Sequence, residues 1–212
     1  AGLVVHRIKM RQHYETPAAV VETVRRRWAP DFDAMASPIN AICSDYATLE
    51  DDLFSLSLHG RIIFTNPAYA AEELSTGSDG IDLALAKLIA DVRLRGCTLI
   101  ALLPNLSHTE WYERHVDSAN EIHLISGKLV FPNPFVDLKR PEPSFLWKVR
   151  STYSHYILAI WRPGRPPSTP VAPVRLHLDE VPVNHPSREL RLRLHVCHKC
   201  GTLRMLPRYQ KD

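Results

Sequence analysis

Apolar positions along this chain repeat in two rhythms. Residues 17–29, PAAVVETVRRRWA, place them at helical spacing, which predicts a helix capped by Thr16, with Pro17 at its first position and Pro30 closing it. DFDAMA at 31–36 reads as a short strand end, and residues 37–58 mix turn signals with a short helix. GRIIFTNP at 60–67 is a buried strand. Residues 71–96 open as a loop and continue as an amphipathic helix that Gly96 stops. CTLIALLP at 97–104 is a second buried strand. SHTEWYERHVDSA at 107–119 is a helix with Ser107 as N-cap and Glu110 at capping-box spacing. EIHLISGKLVF at 121–131 predicts a strand, a turn at Ser126-Gly127 and another strand; HYILAIWRPG at 155–164 holds a last apolar strand.

Strands alternating with helices predict an α/β sheet with helices on its faces. Ligands in such sheets sit beyond the carboxyl ends of the strands. The polar residues that follow apolar runs are therefore the ones to inspect: Asp31 and Asp33, Asn66, and Asn105. The texture changes after Gly164. Residues 165–187 are Pro-rich without a helical period and predict an extended arm over a surface. Residues 188–212 are basic and carry RLRLHVCHKC, an edge-strand pattern leading into a Cys-x-x-Cys turn. The predicted organisation is a domain over 1–164, an arm over 165–187 and a tail over 188–212.

Composition narrows the class. With 212 residues, 45% hydrophobic and 23% charged, the chain has the make-up of a globular protein that can bury one sizeable core. No apolar run is long enough to span a bilayer and no signal-peptide pattern is present, so no membrane partner is expected. The chain begins at Ala1, which is consistent with a trimmed precursor that has lost an import sequence. Four Cys do not make a disulfide framework, and a reducing, intracellular location is expected: cytoplasm or nucleoid, or the mitochondrial matrix. The net charge of +3 is uneven, because Pro186–Asp212 holds seven Lys and Arg against two acidic residues, leaving about −2 on the rest. A basic tail on a weakly acidic body suits an anionic partner, with RNA or DNA first. A merely solvated tail would look the same.

The chemistry concentrates in Asn66-Pro67-Ala68-Tyr69. The exocyclic amine of adenine is a poor nucleophile because its lone pair is delocalised into the ring. Two acceptors placed on its hydrogens draw the nitrogen towards tetrahedral geometry and free that lone pair. The Asn66 side-chain oxygen and the Pro67 carbonyl are such a pair. Tyr69 can stack on a base flipped out of a duplex. On these four residues alone, an ordinary strand ending in an Asn-Pro turn is the commoner structure.

The surrounding segments shift that balance. YETP at 14–17, DFDAMASPINAICSDYATLEDD at 31–52, GRIIFTNPAYA at 60–70, TLIALLPNLSHTEWYERHV at 98–116, EIHLISGKLVF at 121–131 and YILAIWRPG at 156–164 follow one another in order. Together they resemble the phage and prophage-type DNA N6-adenine methyltransferase (Dam) family. The resemblance implies a Rossmann-like, S-adenosylmethionine-dependent methyltransferase fold, here with a Pro-rich C-terminal arm. It puts Thr16 and Pro17 on the family's first motif near the cofactor. Asp31 and Asp33 fall on its acidic segment, with Asp33 the leading cofactor ligand, and Asn66, Pro67 and Tyr69 on its catalytic motif. Ala68 stands where the family carries a second proline. It removes a stiffener of the loop, not a group that the chemistry touches.

In the tail, Cys197 and Cys200 have zinc-knuckle spacing, with Gly201 following and His195 as a third ligand. A structural zinc needs a fourth, which His185, Cys43, Cys97 or a partner would have to supply. Two ordinary reduced thiols are the simpler alternative. Two functions therefore stand side by side. One is an S-adenosylmethionine-dependent methyltransferase acting on adenine N6 in nucleic acid. The other is a catalytically silent relative that serves as a structural or assembly component of a ribonucleoprotein, such as a ribosomal or mitoribosomal particle, bound through the arm and tail.

Overall fold

The computed structural model describes residues 15–38, 40–48, 51, 53, 55–67, 80–131, 155–164 and 166–179, and the backbone of 193–196 and 203–206. Its elements are α1 (Ala18–Trp28), β1 (Phe32–Asp33), β2 (Ile62–Thr65), α2 (Gly80–Arg95), β3 (Thr98–Pro104), α3 (Glu110–His115), a 3₁₀ turn (Val116–Ser118), β4 (Glu121–Ile125), β5 (Tyr156–Trp161), β6 (Val174–Leu176), β7 (Arg193–Val196) and β8 (Leu203–Leu206). β1 to β6 form one six-stranded sheet in the order β1-β2-β3-β5-β4-β6. β1, β2 and β3 are mutually parallel, β5 runs antiparallel to both β3 and β4, and β6 is parallel to β4. β7 and β8 pair antiparallel in a separate sheet.

Strand alternation divides the core into two layers. On one face Ile63, Leu99, Ala101, Leu103, Ile157, Ala159 and Trp161 pack with Ile81, Leu85, Leu88, Ile89 and Val92 of α2. Those α2 positions recur at three- and four-residue steps, so one stripe of the helix faces the sheet. On the other face Phe64, Ile100, Leu102, Leu158 and Ile160 pack with Val20 and Val24 of α1. The central strands are covered on both sides, which is why they read as unbroken apolar runs.

Helix ends follow backbone chemistry. α1 stops at Ala29, whose φ of 46° is left-handed, one residue before Pro30. α2 stops at Gly96, where φ of +70° is cheap without a Cβ. Four local expectations are corrected. Thr16 does not cap α1: Pro17 is the N-cap, and its carbonyl accepts from Val20 and Val21 N–H at 2.8 and 3.1 Å. Ser107 does not cap α3, which begins after Thr109; the Thr109 hydroxyl donates back to the Leu106 carbonyl at 2.8 Å, so a turn precedes the helix. Residues 128–131, next after Gly127, form no strand. β6 takes the edge of β4 instead, pairing His123 to Val174 and Ile125 to Leu176, while Leu129 and Phe131 are buried as loop side chains. Among the described residues of 37–58 there is no helix either.

The start of the Pro-rich stretch is thus part of the main sheet. Beyond β6 it crosses α1, where Asp179 takes a two-pronged hydrogen bond from Arg26 and its N–H donates to the Thr23 hydroxyl at 2.9 Å. No helix among the described residues is long and apolar enough to cross a membrane.

Candidate active site

Parallel pairing brings the carboxyl ends of β1 and β2 side by side. Asp33 is in register with Phe64, two residues before Asn66, and Thr65 is in register with Ala101 of β3. β3 runs three residues beyond that pairing, to Pro104.

Asp33 is 3% exposed. Its Oδ2 accepts from the Ile42 N–H at 3.0 Å, and its backbone is held by Asp45 and Ala47, with Tyr46 bridging it on the side away from β2. Burial pushes its carboxyl up to about 6, against the opposing hydrogen bonds from the Ile42 and Met35 N–H groups. Burial, and then the charge of Asp33, pushes the nearby Cys43 thiol up to about 12. That thiol contacts the Pro30 carbonyl at 3.5 Å.

Asp31 stands at the other edge. Its N–H donates to the Ile62 carbonyl, where β2 begins. Arg61 donates to the Asp31 side chain (2.8 Å), the Asp31 carbonyl (2.8 Å) and Asp45 (2.7 Å). The guanidinium also lies 5.1 Å from the Phe32 ring centroid. Asp31 therefore helps to tie the amino edge of β1 and β2 together, while Asp33 is the acidic side chain at the carboxyl end.

Thr16 and Asn66, 50 residues apart, meet: the Asn66 amide Nδ2 donates to the Thr16 hydroxyl at 3.4 Å. Thr16 and Pro17 are buried, and so is Pro67. The Thr65 hydroxyl is buried with no hydrogen-bond partner among the described residues. Sequence reasoning passed over Thr65, since a Thr ending a buried strand looks like an ordinary β-branched filler. Asn105, the other strand-end residue of interest, has its N–H bonded to the His155 carbonyl at 3.0 Å. Trp111 packs half-buried against the α2 side of the core. Ala68 and Tyr69 lie outside the described residues, as do Cys197, Cys200 and the side chain of His195. Among the described residues no group of three or more His, Cys, Asp or Glu could hold a metal ion. Cys97 is buried, with its thiol against the Leu58 carbonyl at 2.5 Å.

The family model of DNA N-6-adenine-methyltransferase (Dam) matches residues 6–177, so it takes in every strand of the main sheet, β6 included. A search of curated proteins finds no match. Among solved structures, a Listeria monocytogenes protein described as a class I S-adenosylmethionine-dependent methyltransferase is similar at 10% identity and a TM-score of 0.41, over 80% of this chain and 67% of that one. A superposition that loose carries no assignment; the family match does.

Proposed function

Since the chain belongs to the DNA N-6-adenine-methyltransferase (Dam) family, we propose that it transfers a methyl group from S-adenosylmethionine to N6 of an adenine in nucleic acid, with DNA the first substrate to test. The observation that carries this reading is the place of Asn66, at the carboxyl end of β2, one strand from the buried Asp33 and in contact with Thr16.

The residues at this edge fit the cofactor by the chemistry of their groups. Asp33 offers a buried carboxylate for ribose hydroxyls or an amino group, and Thr65 a buried hydroxyl without a partner among the described residues. Bound S-adenosylmethionine would supply an electrophilic methyl group on sulfonium sulfur. In this reading Asn66 and Pro67 do the work on the substrate side. The Asn66 Oδ1 and the Pro67 carbonyl would accept the two amine hydrogens, drawing the nitrogen towards tetrahedral geometry and freeing its lone pair for the transfer. The nitrogen gains positive charge as the bond forms, which strengthens both hydrogen bonds in the transition state. The sulfur–methyl bond would break as the nitrogen–methyl bond forms, its electron pair staying on sulfur as a neutral thioether, and one amine proton would then leave to solvent. Neither an amide nor a peptide carbonyl is a base, so their role is to orient and polarise. Tyr69 would stack on the flipped base, and the basic tail over 186–212 would add phosphate contacts.

The test is transfer of labelled methyl from S-adenosylmethionine to adenine-bearing DNA and RNA oligonucleotides, with N6-methyladenine identified by mass spectrometry. Wild type should label adenine. Asn66→Ala should lose on the order of a hundredfold or more in turnover, as expected for deleting a donor or acceptor aimed at developing charge. Transfer by Asn66→Ala at the wild-type rate would remove Asn66 from the reaction. Label on cytosine or on protein would replace the substrate.

A further inference from the structure

We propose that Thr16 is a positioning residue for the methyl transfer, acting through Asn66 by holding its side-chain amide in place at the strand end; this rests on the adenine-N6 reading above. An Asn at a strand end has two nearly isosteric arms, an oxygen that accepts and an NH2 that donates. Only the oxygen can serve an amine substrate. With the amide turned over, two donors face one another across the site and the substrate nitrogen is not activated. The side chain therefore needs a group that holds it within reach of the substrate.

Thr16 is placed to be that group. Its hydroxyl accepts from the Asn66 Nδ2 at 3.4 Å, which restrains that arm of the side chain; a hydroxyl can also donate, so the contact fixes the place of the amide and the N–H groups of the substrate select its sense. The oxygen has two lone pairs and can receive a substrate hydrogen whatever else it touches. Thr16 itself is 9% exposed. The next residue, Pro17, is the N-cap of α1, with its carbonyl held by Val20 and Val21. Val20 and Val24 of α1 are fully buried in the same cluster as Phe64, which lies two residues before Asn66. Packing of α1 on β2 thus brings the hydroxyl to the amide. A residue needed only to start the helix would have capped it, and the Thr16 side chain does not.

The experiment compares Thr16→Val, which keeps the shape and removes the hydroxyl, with Thr16→Ser, which keeps the hydroxyl. Three quantities are read for each: the Asn66 side-chain amide resonances in ¹⁵N-labelled protein, the affinity for S-adenosylmethionine by calorimetry, and kcat and KM for methylation of adenine-bearing DNA. Thr16→Val should move the Asn66 NH2 resonances, lower kcat about three- to tenfold as expected for one neutral hydrogen bond, and leave cofactor affinity and KM within about twofold. Thr16→Ser should recover both the resonances and kcat. Loss of cofactor affinity in step with kcat would make Thr16 a cofactor ligand and overturn the proposal, as would an unchanged kcat in a folded Thr16→Val. A wild-type protein that methylates no adenine would overturn the functional reading itself, and the catalytic meaning of the contact with it. Unfolding of Thr16→Val, seen as collapse of the amide spectrum, shifts the decision to Thr16→Ala and Thr16→Ser: the pair must differ in kcat at equal cofactor affinity, and equal kcat would reject the idea.

Discussion

Asp33→Asn is expected to raise stability at neutral pH. Asp33 is 3% exposed, and its carboxyl pKa is pushed by burial from 3.8 to about 6. The native state therefore holds this proton more tightly than the unfolded chain does. The stabilising contribution of the neutral carboxyl is complete below about 3.8 and is lost as pH rises through about 6. At about 1.36 kcal/mol per pH unit, that displacement is worth about 3 kcal/mol between the acid and alkaline limits. An amide is neutral at every pH, and its oxygen can still take the Ile42 N–H that lies 3.0 Å from Oδ2. Its NH2 stands where the carboxyl would carry its proton, and the Met35 N–H bond to the carboxyl is the contact the exchange weakens, so the gain falls somewhat short of that limit. Urea denaturation of both proteins from pH 4 to pH 8.5 should show Asp33→Asn more stable by about 2–3 kcal/mol at the alkaline end, with the curves converging near pH 4. Comparing the two proteins cancels the other titrating groups they share. A difference that does not change with pH, or a variant less stable throughout, would refute the assignment of a buried, ionised carboxylate. In the proposed reading, the ionised carboxylate serves a ligand that donates to it. Saturating S-adenosylmethionine should accordingly stabilise wild type more than Asp33→Asn and narrow the alkaline gap.

Phe64→Ala should cost about 3–5 kcal/mol in urea denaturation, because the ring is fully buried between α1 and the sheet; a loss below about 1 kcal/mol would mean that α1 is not seated there. Arg61→Ala should cost about 1–2 kcal/mol, summing two partly exposed ion pairs and the contact with Phe32, and added salt should shrink the loss; a salt-independent loss would assign it to packing of the side-chain stem.

How far the sequence revealed this molecule depended on whether the deciding contacts were local. β3 and β5 were legible because a strand covered on both faces must be apolar at every position, as Leu99 to Leu103 and Tyr156 to Trp161 are. α2 was legible from its stripe, and its end from Gly96. β6 was not: two of its three residues are exposed and it lies among prolines, so it is a strand only because the edge of β4 needs pairing. The same event removed the strand expected after Gly127. Asn66 stood out as a polar residue after an apolar run. Asp31 and Asp33, by contrast, are the same residue type two positions apart. What separates them is the Arg61 guanidinium at the amino edge and the burial of one carboxylate at the other, and neither is a local property.

Thr16 shows that limit most sharply. Read locally, a Thr before Pro at the start of a helical pattern is a cap, because the only donors within reach of its hydroxyl along the chain are the first N–H groups of that helix. In the folded protein the Pro17 carbonyl closes the first turn, which frees the hydroxyl, and docking Val20 and Val24 beside Phe64 brings it a donor from 50 residues away. A capping Thr and a Thr that accepts from Asn66 both tolerate Ser and both lose their hydrogen bond in Val. What separates them is the group that feels the loss: the first N–H groups of α1 for a cap, the Asn66 side-chain amide for the contact found here. The amide resonances therefore tell a helix cap from a part of the site, independently of any assay of methyl transfer.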